Sequence, residues 1–381
     1  MKRISGFGNT LRITGAICAF LIGAGVASGQ DILQFFTSHG KYGFIAAIIF
    51  LALACPCAAL ICRAGQREAF ENPYDVFTYY CGAKIGNLYI WFSVILGCGS
   101  LTVMLAGAGA TVNQLLGIPV YAGTVAMAGL AICTAILGID RLINILGAIG
   151  PVNAILLIIL GLFGLHTLSK DPYALDEAIV AMQDPGVKSI SPNPVWSGIL
   201  YAFLCLLVTT VFMVNCAASA KSQKEAGIAG GVSFFIFAIV IVMLLIAELA
   251  NYEIVIGAQI PTLAIARSIS PLFGIISFSL IILAIFSATS SLLLMIVRRF
   301  AVDRTKRFRV FAVVFISITS VLGSIIPFDE LVSRLFTVIS YVSIFFVCRI
   351  VYKELFRGRT SRRNEIPTRA KPLCKSGERR K

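Results

Sequence analysis

The residues Ile22-Gly23-Ala24-Gly25-Val26-Ala27-Ser28-Gly29-Gln30-Asp31 put three closely spaced glycines beside an amide and a carboxylate, inside an otherwise apolar stretch. Glycine costs a helix about 1 kcal/mol per position relative to alanine, so this run predicts a broken helix. A break at membrane depth frees backbone N–H and C=O groups. The N–H groups at the start of the outer half can hold an anion such as a carboxylate. The carbonyls of the inner half can hold a cation. Gly23, Ala24, Gly25, Val26, Ala27, Ser28 and Gly29 are therefore the candidate solute-binding segment. The competing reading is that small residues only let helices approach closely. Gln30 and Asp31 favour the break, because polar groups at depth mark function. Asp31 is also the candidate proton carrier.

A second set of polar groups sits in Ala284-Ile285-Phe286-Ser287-Ala288-Thr289-Ser290-Ser291. Hydroxyls from Ser287, Thr289 and Ser290, next to Ala284, would supply oxygen ligands for a cation. The other reading has each hydroxyl bonded back to its own helix. Tyr201 is a candidate for the wall of a solute cavity, or else an interface tyrosine at a helix entry. Glu248, Glu253 and Arg334 fall near helix ends, where such groups act as proton or substrate gates or, more often, are simply wet at the interface. Asn144 and Asn153 suit hydrogen bonding between helices. Cys55-Pro56-Cys57 has the spacing of a soft-metal site, but no histidine completes a set around it. It also reads as a proline-kinked packing helix.

These residues are embedded in a very apolar chain. Of 381 residues, 58% are hydrophobic and 13% charged, and mean hydropathy is +0.91. Soluble domains are about 45–50% apolar and about 25% charged, so a polytopic membrane protein is expected. Most of the eleven cysteines lie in apolar runs, which does not suit a secreted disulfide framework. HExxH, GxxxxGK[ST] and GxSxG signatures are missing, so no enzymatic activity, catalytic residue or resident metal is expected.

Ten stretches meet the requirement of ~20 mainly apolar residues: roughly 11–36, 42–62, 88–112, 117–137, 142–168, 195–217, 227–249, 271–297, 309–326 and 331–352. With the N-terminus inside, 27 of the 32 Lys and Arg residues fall on the inner side, and only Lys41, Lys170, Lys188, Arg267 and Arg334 on the outer. That asymmetry predicts an inner-membrane protein with both termini in the cytoplasm. A cleaved signal peptide is the rival reading of the start, since Lys2, Arg3 and Arg12 precede an apolar run that ends in small residues. It would spoil the alternation of charge.

Residues 169–194 form a proline-rich external linker with a short amphipathic helix through Leu175, Ile179 and Met182. Five spans precede it (1–168) and five follow (195–352). An odd number per half forces opposite orientation, which is the arithmetic of an inverted repeat. Residues 353–381 form a basic tail, expected to be disordered beyond 357 and to lie against anionic lipid rather than nucleic acid.

The span 1 sequence, with Gln34-Phe35-Phe36, resembles the opening of the YkvI family of bacterial membrane proteins, whose members typically read GAGFASGQE. The likeness continues through Ala106-Gly107-Ala108-Gly109-Ala110, Leu137-Gly138-Ile139-Asp140-Arg141 and Ile260-Pro261. It implies the amino acid–polyamine–organocation superfamily and an all-α, LeuT-type five-plus-five fold. It also implies that Gly23–Gly29 resembles a substrate-carboxylate motif and that Gly107 lines the site. Sodium-coupled relatives place Ala-x-x-Ser/Thr-Thr/Ser on span 8. Ala284 and Ser287 fit that pattern and Ala288 departs from it. The fold further implies a break in span 6, yet Tyr201 to Val214 contain no Gly or Pro.

The expected function is secondary transport of a small amino-acid-like or amine solute by alternating access, with Na+ or H+ as the coupling ion and no other cofactor. A solute sensor like the germination permeases and an ion or metal channel are the alternatives. The solute, the direction of transport and the oligomeric state are not written in the sequence.

Overall fold

The computed structural model describes residues 6–137, 139–170, 174–182, 187–302 and 305–360. Among these the secondary structure is helical throughout. Span 1 is built from Gly6–Leu21, Ala24–Ser28 and Gln30–Phe35. The following spans are Gly43–Glu68, Ala83–Leu116, Val120–Leu137, Ile139–Lys170, Pro194–Ala217, Gln223–Ala250, Pro271–Arg298 and Lys306–Ile325. Span 10 runs from Phe328 through a π-turn at Val332–Phe336 into Thr337–Thr360. Among the described residues 8 helices are long and apolar enough to cross a membrane. The shorter apolar helix Val120–Thr134 and the broken span 1 complete about ten.

Local chemistry sets the helix starts. Asn193 accepts from the N–H of Val195 at 2.8 Å, ahead of Pro194 at the first helical position of span 6. Ser270 caps Phe273 N–H at 3.1 Å before Pro271 opens span 8. Ser222 and Thr305 cap spans 7 and 9 in the same way. The short helix of the linker is Ala174–Ala181, where the sequence places one. Residues 361–381 of the basic tail lie outside the described residues, as do the side chains of Asp140, Arg141 and Asn144.

Two ends of the bundle are identifiable from polar contacts. At one end Asn9 bonds Glu225 at 2.9 Å, and Arg67 pairs with Glu354 at 3.0 Å. These contacts gather the start of span 1, the loop between spans 6 and 7, and the far ends of spans 2 and 10; we call it the basic end. At the opposite end Lys188 pairs with Asp329, and Gln114 exchanges two 3.0 Å hydrogen bonds with Ile260.

Spans 1, 6 and 8 are the interior helices. Their buried residues come from every side of the helix rather than one stripe, as expected for helices surrounded by protein. Span 2 packs against spans 6 and 7, span 7 also against span 1, and spans 3 and 4 against spans 8 and 9.

Span 6 is one unbroken helix from Pro194 to Ala217. The break that the fold family implies is therefore not made here. The physical reason is local: Thr209 and Thr210 donate to the carbonyls of Cys205 and Leu206 within the helix, and no residue disfavours continuation. The buried amide nitrogen of Asn153 has no hydrogen-bond partner.

Candidate functional site

Span 1 breaks twice. Its first helix ends at Leu21, and Gly23 is extended, with φ −83° and ψ −163°. The second break is Gly29, at φ 90°, a left-handed conformation that costs an L-residue roughly 1–2 kcal/mol. The freed groups are partly satisfied within the chain. Ser28 Oγ donates to Gly25 O at 2.8 Å, and Gln30 N–H donates to Ser28 Oγ at 3.2 Å. Ala24 N–H finds only the thioether sulfur of Met104, at 3.0 Å, a weak acceptor.

Asp31 folds back over this break. A Cβ added at Gly25 would fall inside the Asp31 carboxylate, so only glycine leaves room for it. Asp31 is 5% exposed. Its Oδ2 accepts from the Tyr201 hydroxyl at 3.2 Å, and its Oδ1 has no partner. Tyr201 is buried rather than sitting at a membrane interface, and its ring packs on Phe35 and Phe36 at 4.7 and 5.1 Å between centroids. Aromatic packing of this kind fixes the ring while leaving its hydroxyl to choose a polar partner.

Asp31 and Tyr201 share a cavity of about 50 Å³ with Ser100, Met104, Ala288 and Phe336. Ser100 Oγ is buried and also without a partner. Phe336 is delivered by the π-turn of span 10, a feature that often marks functional positions. Phe20 stacks on Phe212 at 4.7 Å at one side of the same cavity.

Toward the basic end two further cavities follow it: one of about 30 Å³ shares Val208 and Leu292 with it, and one of about 380 Å³ shares Tyr74 and Met295 with the second. The Tyr74 hydroxyl donates to Met295 O at 3.0 Å where those two meet. Toward the opposite end the way is laced shut. Gln30 Nε2 donates to Ala258 O at 2.7 Å, and Gln34 Nε2 to Asp329 O at 3.0 Å. Thr262 Oγ1 donates to Ala27 O at 2.6 Å, holding the short helix Pro261–Ile269 against the break.

Not every candidate residue converges on this place. Gly107 serves close packing: a Cβ there would meet Ala24 Cβ at 2.9 Å and a Phe328 ring carbon at 3.0 Å. Of the span 8 hydroxyls, Ser287 alone turns to span 1, donating to Ala19 O at 3.2 Å. Thr289 donates to Ile285 O in its own helix, and Ser290 meets Thr134 of span 4 at 2.8 Å. Ala284 is buried without a polar group to offer. One hydroxyl beside span 1 carbonyls is a thin set for sodium, which needs several converging oxygens.

Sequence reasoning missed Ser100, Met104 and Phe336, because each reads as an ordinary helix residue. It also placed Glu248 in water. Glu248 is in fact fully buried; one carboxylate oxygen accepts from Thr37 Oγ1 at 2.6 Å and the other has no partner. A Cβ at Gly29 would lie 2.6 Å from that free oxygen. Glu253 and Arg334 are exposed as expected, the latter 3.4 Å from Glu330. Cys55 and Cys57 flank Pro56 in span 2. Among the described residues no group of three or more His, Cys, Asp or Glu could hold a metal.

No family model matches the chain. In sequence it is 24% identical over 356 residues to the uncharacterized membrane protein YkvI of Bacillus subtilis (strain 168), covering 89% of this chain and 94% of that protein. In structure it is similar to MhsT in complex with L-phenylalanine, with TM-score 0.66 and 19% identity over 90% of this chain and 88% of that one. A manganese transporter of Eremococcus coleocola matches with TM-score 0.56 and 12% identity, covering 92% and 80%. Mhp1, a nucleobase-cation-symport-1 family transporter, matches with TM-score 0.52 and 14% identity, covering 92% and 79%. The chain is thus a multi-pass membrane protein with the fold of LeuT-type transporters, similar to YkvI along nearly its whole length.

Proposed function

We propose that this chain is a secondary transporter of a small amine or amino-acid-like solute. The observation that carries the reading is the cavity at the broken span 1. It is lined by two residues that each carry a buried polar atom without a partner, Asp31 (Oδ1) and Ser100 (Oγ), and further cavities follow it toward one end of the bundle. Buried polar groups are normally hydrogen-bonded, so two such residues around one cavity fit a solute that completes them. Cavities in series toward one end and polar contacts that close the other fit alternating access. The rocking would exchange the Gln30, Gln34 and Lys188 contacts at one end for closure around Tyr74 at the other. By the positive-inside rule the basic end is cytoplasmic, so this conformation is closed to the outside. Asp31 is the group that would take up the charge of a proton or a cationic solute. Ser287, beside Ala19 O, would contribute to a coupling cation only together with span 1 carbonyls.

A thermal-shift screen of the purified protein in detergent tests this. Amino acids and amines are each added with and without sodium. A true solute at 100 times its Kd adds about 2.7 kcal/mol to the folded state and raises the melting temperature. A shift that needs sodium would point to Ser287 and its neighbours, and one without it to Asp31. If no solute of either class shifts the protein, the transporter reading fails and a sensor or channel takes its place.

A further inference from the structure

We propose that the solute is a small aliphatic amine that bears a positive charge and no carboxylate, with Asp31 as its counter-ion. The inference rests on the transporter reading and narrows its substrate class. Asp31 is the only charged residue lining the cavity. One of its oxygens receives a single hydroxyl, from Tyr201, and the other receives nothing. A buried charge of this kind asks for a partner of opposite sign.

An amino-acid zwitterion would bring its own carboxylate to the same place. The chain's carboxylate already lies on the bare Cα of Gly25, covering the main chain of the break. Two carboxylates this close in a low-dielectric cavity repel strongly. An ammonium group instead neutralises Asp31, and it has donors to spare. Its N–H groups suit the Asp31 carboxylate and the unpartnered Ser100 hydroxyl, both on residues that line the cavity. Apart from Cys205 and Thr209, whose hydroxyl is taken by the Cys205 carbonyl, the rest of the wall is apolar or aromatic, including Phe20, Leu204, Leu292 and Phe336. Aromatic faces also attract an alkylammonium. At about 50 Å³ the cavity has room for about three to five waters, which favours a short aliphatic tail.

Matched pairs that differ only in the carboxylate test the proposal on the purified full-length protein: ethylamine against alanine, isobutylamine against valine, phenethylamine against phenylalanine. Calorimetric titration of wild type should give the amine of a short pair at least tenfold tighter binding than its amino acid. Asp31→Asn should weaken that amine at least thirtyfold, and Asp31→Gly should invert the preference within the pair. Tighter binding of the amino acid by wild type would overturn the amine assignment and leave the transporter reading standing. Equal amine binding by wild type and Asp31→Asn would overturn the role of Asp31. Binding of neither member of any pair would overturn both readings.

Discussion

Asp31 combines burial, charge and an oxygen without a partner, a combination that lowers stability and is kept only for a purpose. Removing the charge while keeping the shape should therefore stabilise the solute-free protein. We predict that Asp31→Asn raises the melting temperature in detergent, by relief of about 1–3 kcal/mol, and that solute no longer shifts it. A lower melting temperature would show that the carboxylate is a structural anchor instead. At this scale the sequence was half legible. Asp31 stood out because an ionisable residue in an apolar run is an exception that needs a reason. Tyr201 was suggested by its position in span 6. Ser100 and Met104 gave no such signal, and Glu248, though ionisable, was placed in water at a helix end. A serine and a methionine are common in packed membrane helices, and the burial of Glu248 follows from how the Gly29 turn and Thr37 close over it.

The elements explain how those side chains are held. The Gly29 turn brings Asp31 back toward Gly25, and Gly29 is one of the few positive-φ residues inside a span. Gly29→Ala meets both a left-handed backbone and the Glu248 carboxylate. It should lower stability by roughly 2 kcal/mol or more, from the cost of that backbone and the contact together, seen as a reduced melting temperature. The latch at the closed end is a second element-level device. Asp329 joins it twice, by its carbonyl to Gln34 and its carboxylate to Lys188. Asp329→Ala removes the charge-assisted contact, worth about 1.5–3 kcal/mol where partly buried and less where water screens it. The open-outward population should rise severalfold. Reactivity of Cys205, which lines the cavity, toward an impermeant thiol reagent added at that face would report it in proteoliposomes. An unchanged rate would remove Lys188–Asp329 from the gate. That span 1 breaks was readable from its glycines, though not that it breaks twice; for span 6 the absence of Gly and Pro from Tyr201 to Val214 left the break implied by the fold open. The π-turn of span 10 was not readable, because Val332–Phe336 contains no helix breaker.

Over the whole molecule, apolar runs were enough to lay out about ten spans, because a bilayer imposes length and satisfied backbone bonds on any chain that crosses it. The row of cavities toward the basic end, a path for solute in the proposed function, was not legible, since it depends on which faces of spans 3, 6 and 8 meet. That path and the latch opposite it give the molecule its asymmetry, and alternating access would consist of exchanging the two. The most direct measurement is counterflow in proteoliposomes loaded with an unlabelled short amine, with labelled amine outside, for wild type and Asp31→Asn at equal incorporation. Our account predicts a transient accumulation of label by wild type and a flat trace for Asp31→Asn. An undiminished accumulation by Asp31→Asn would contradict it.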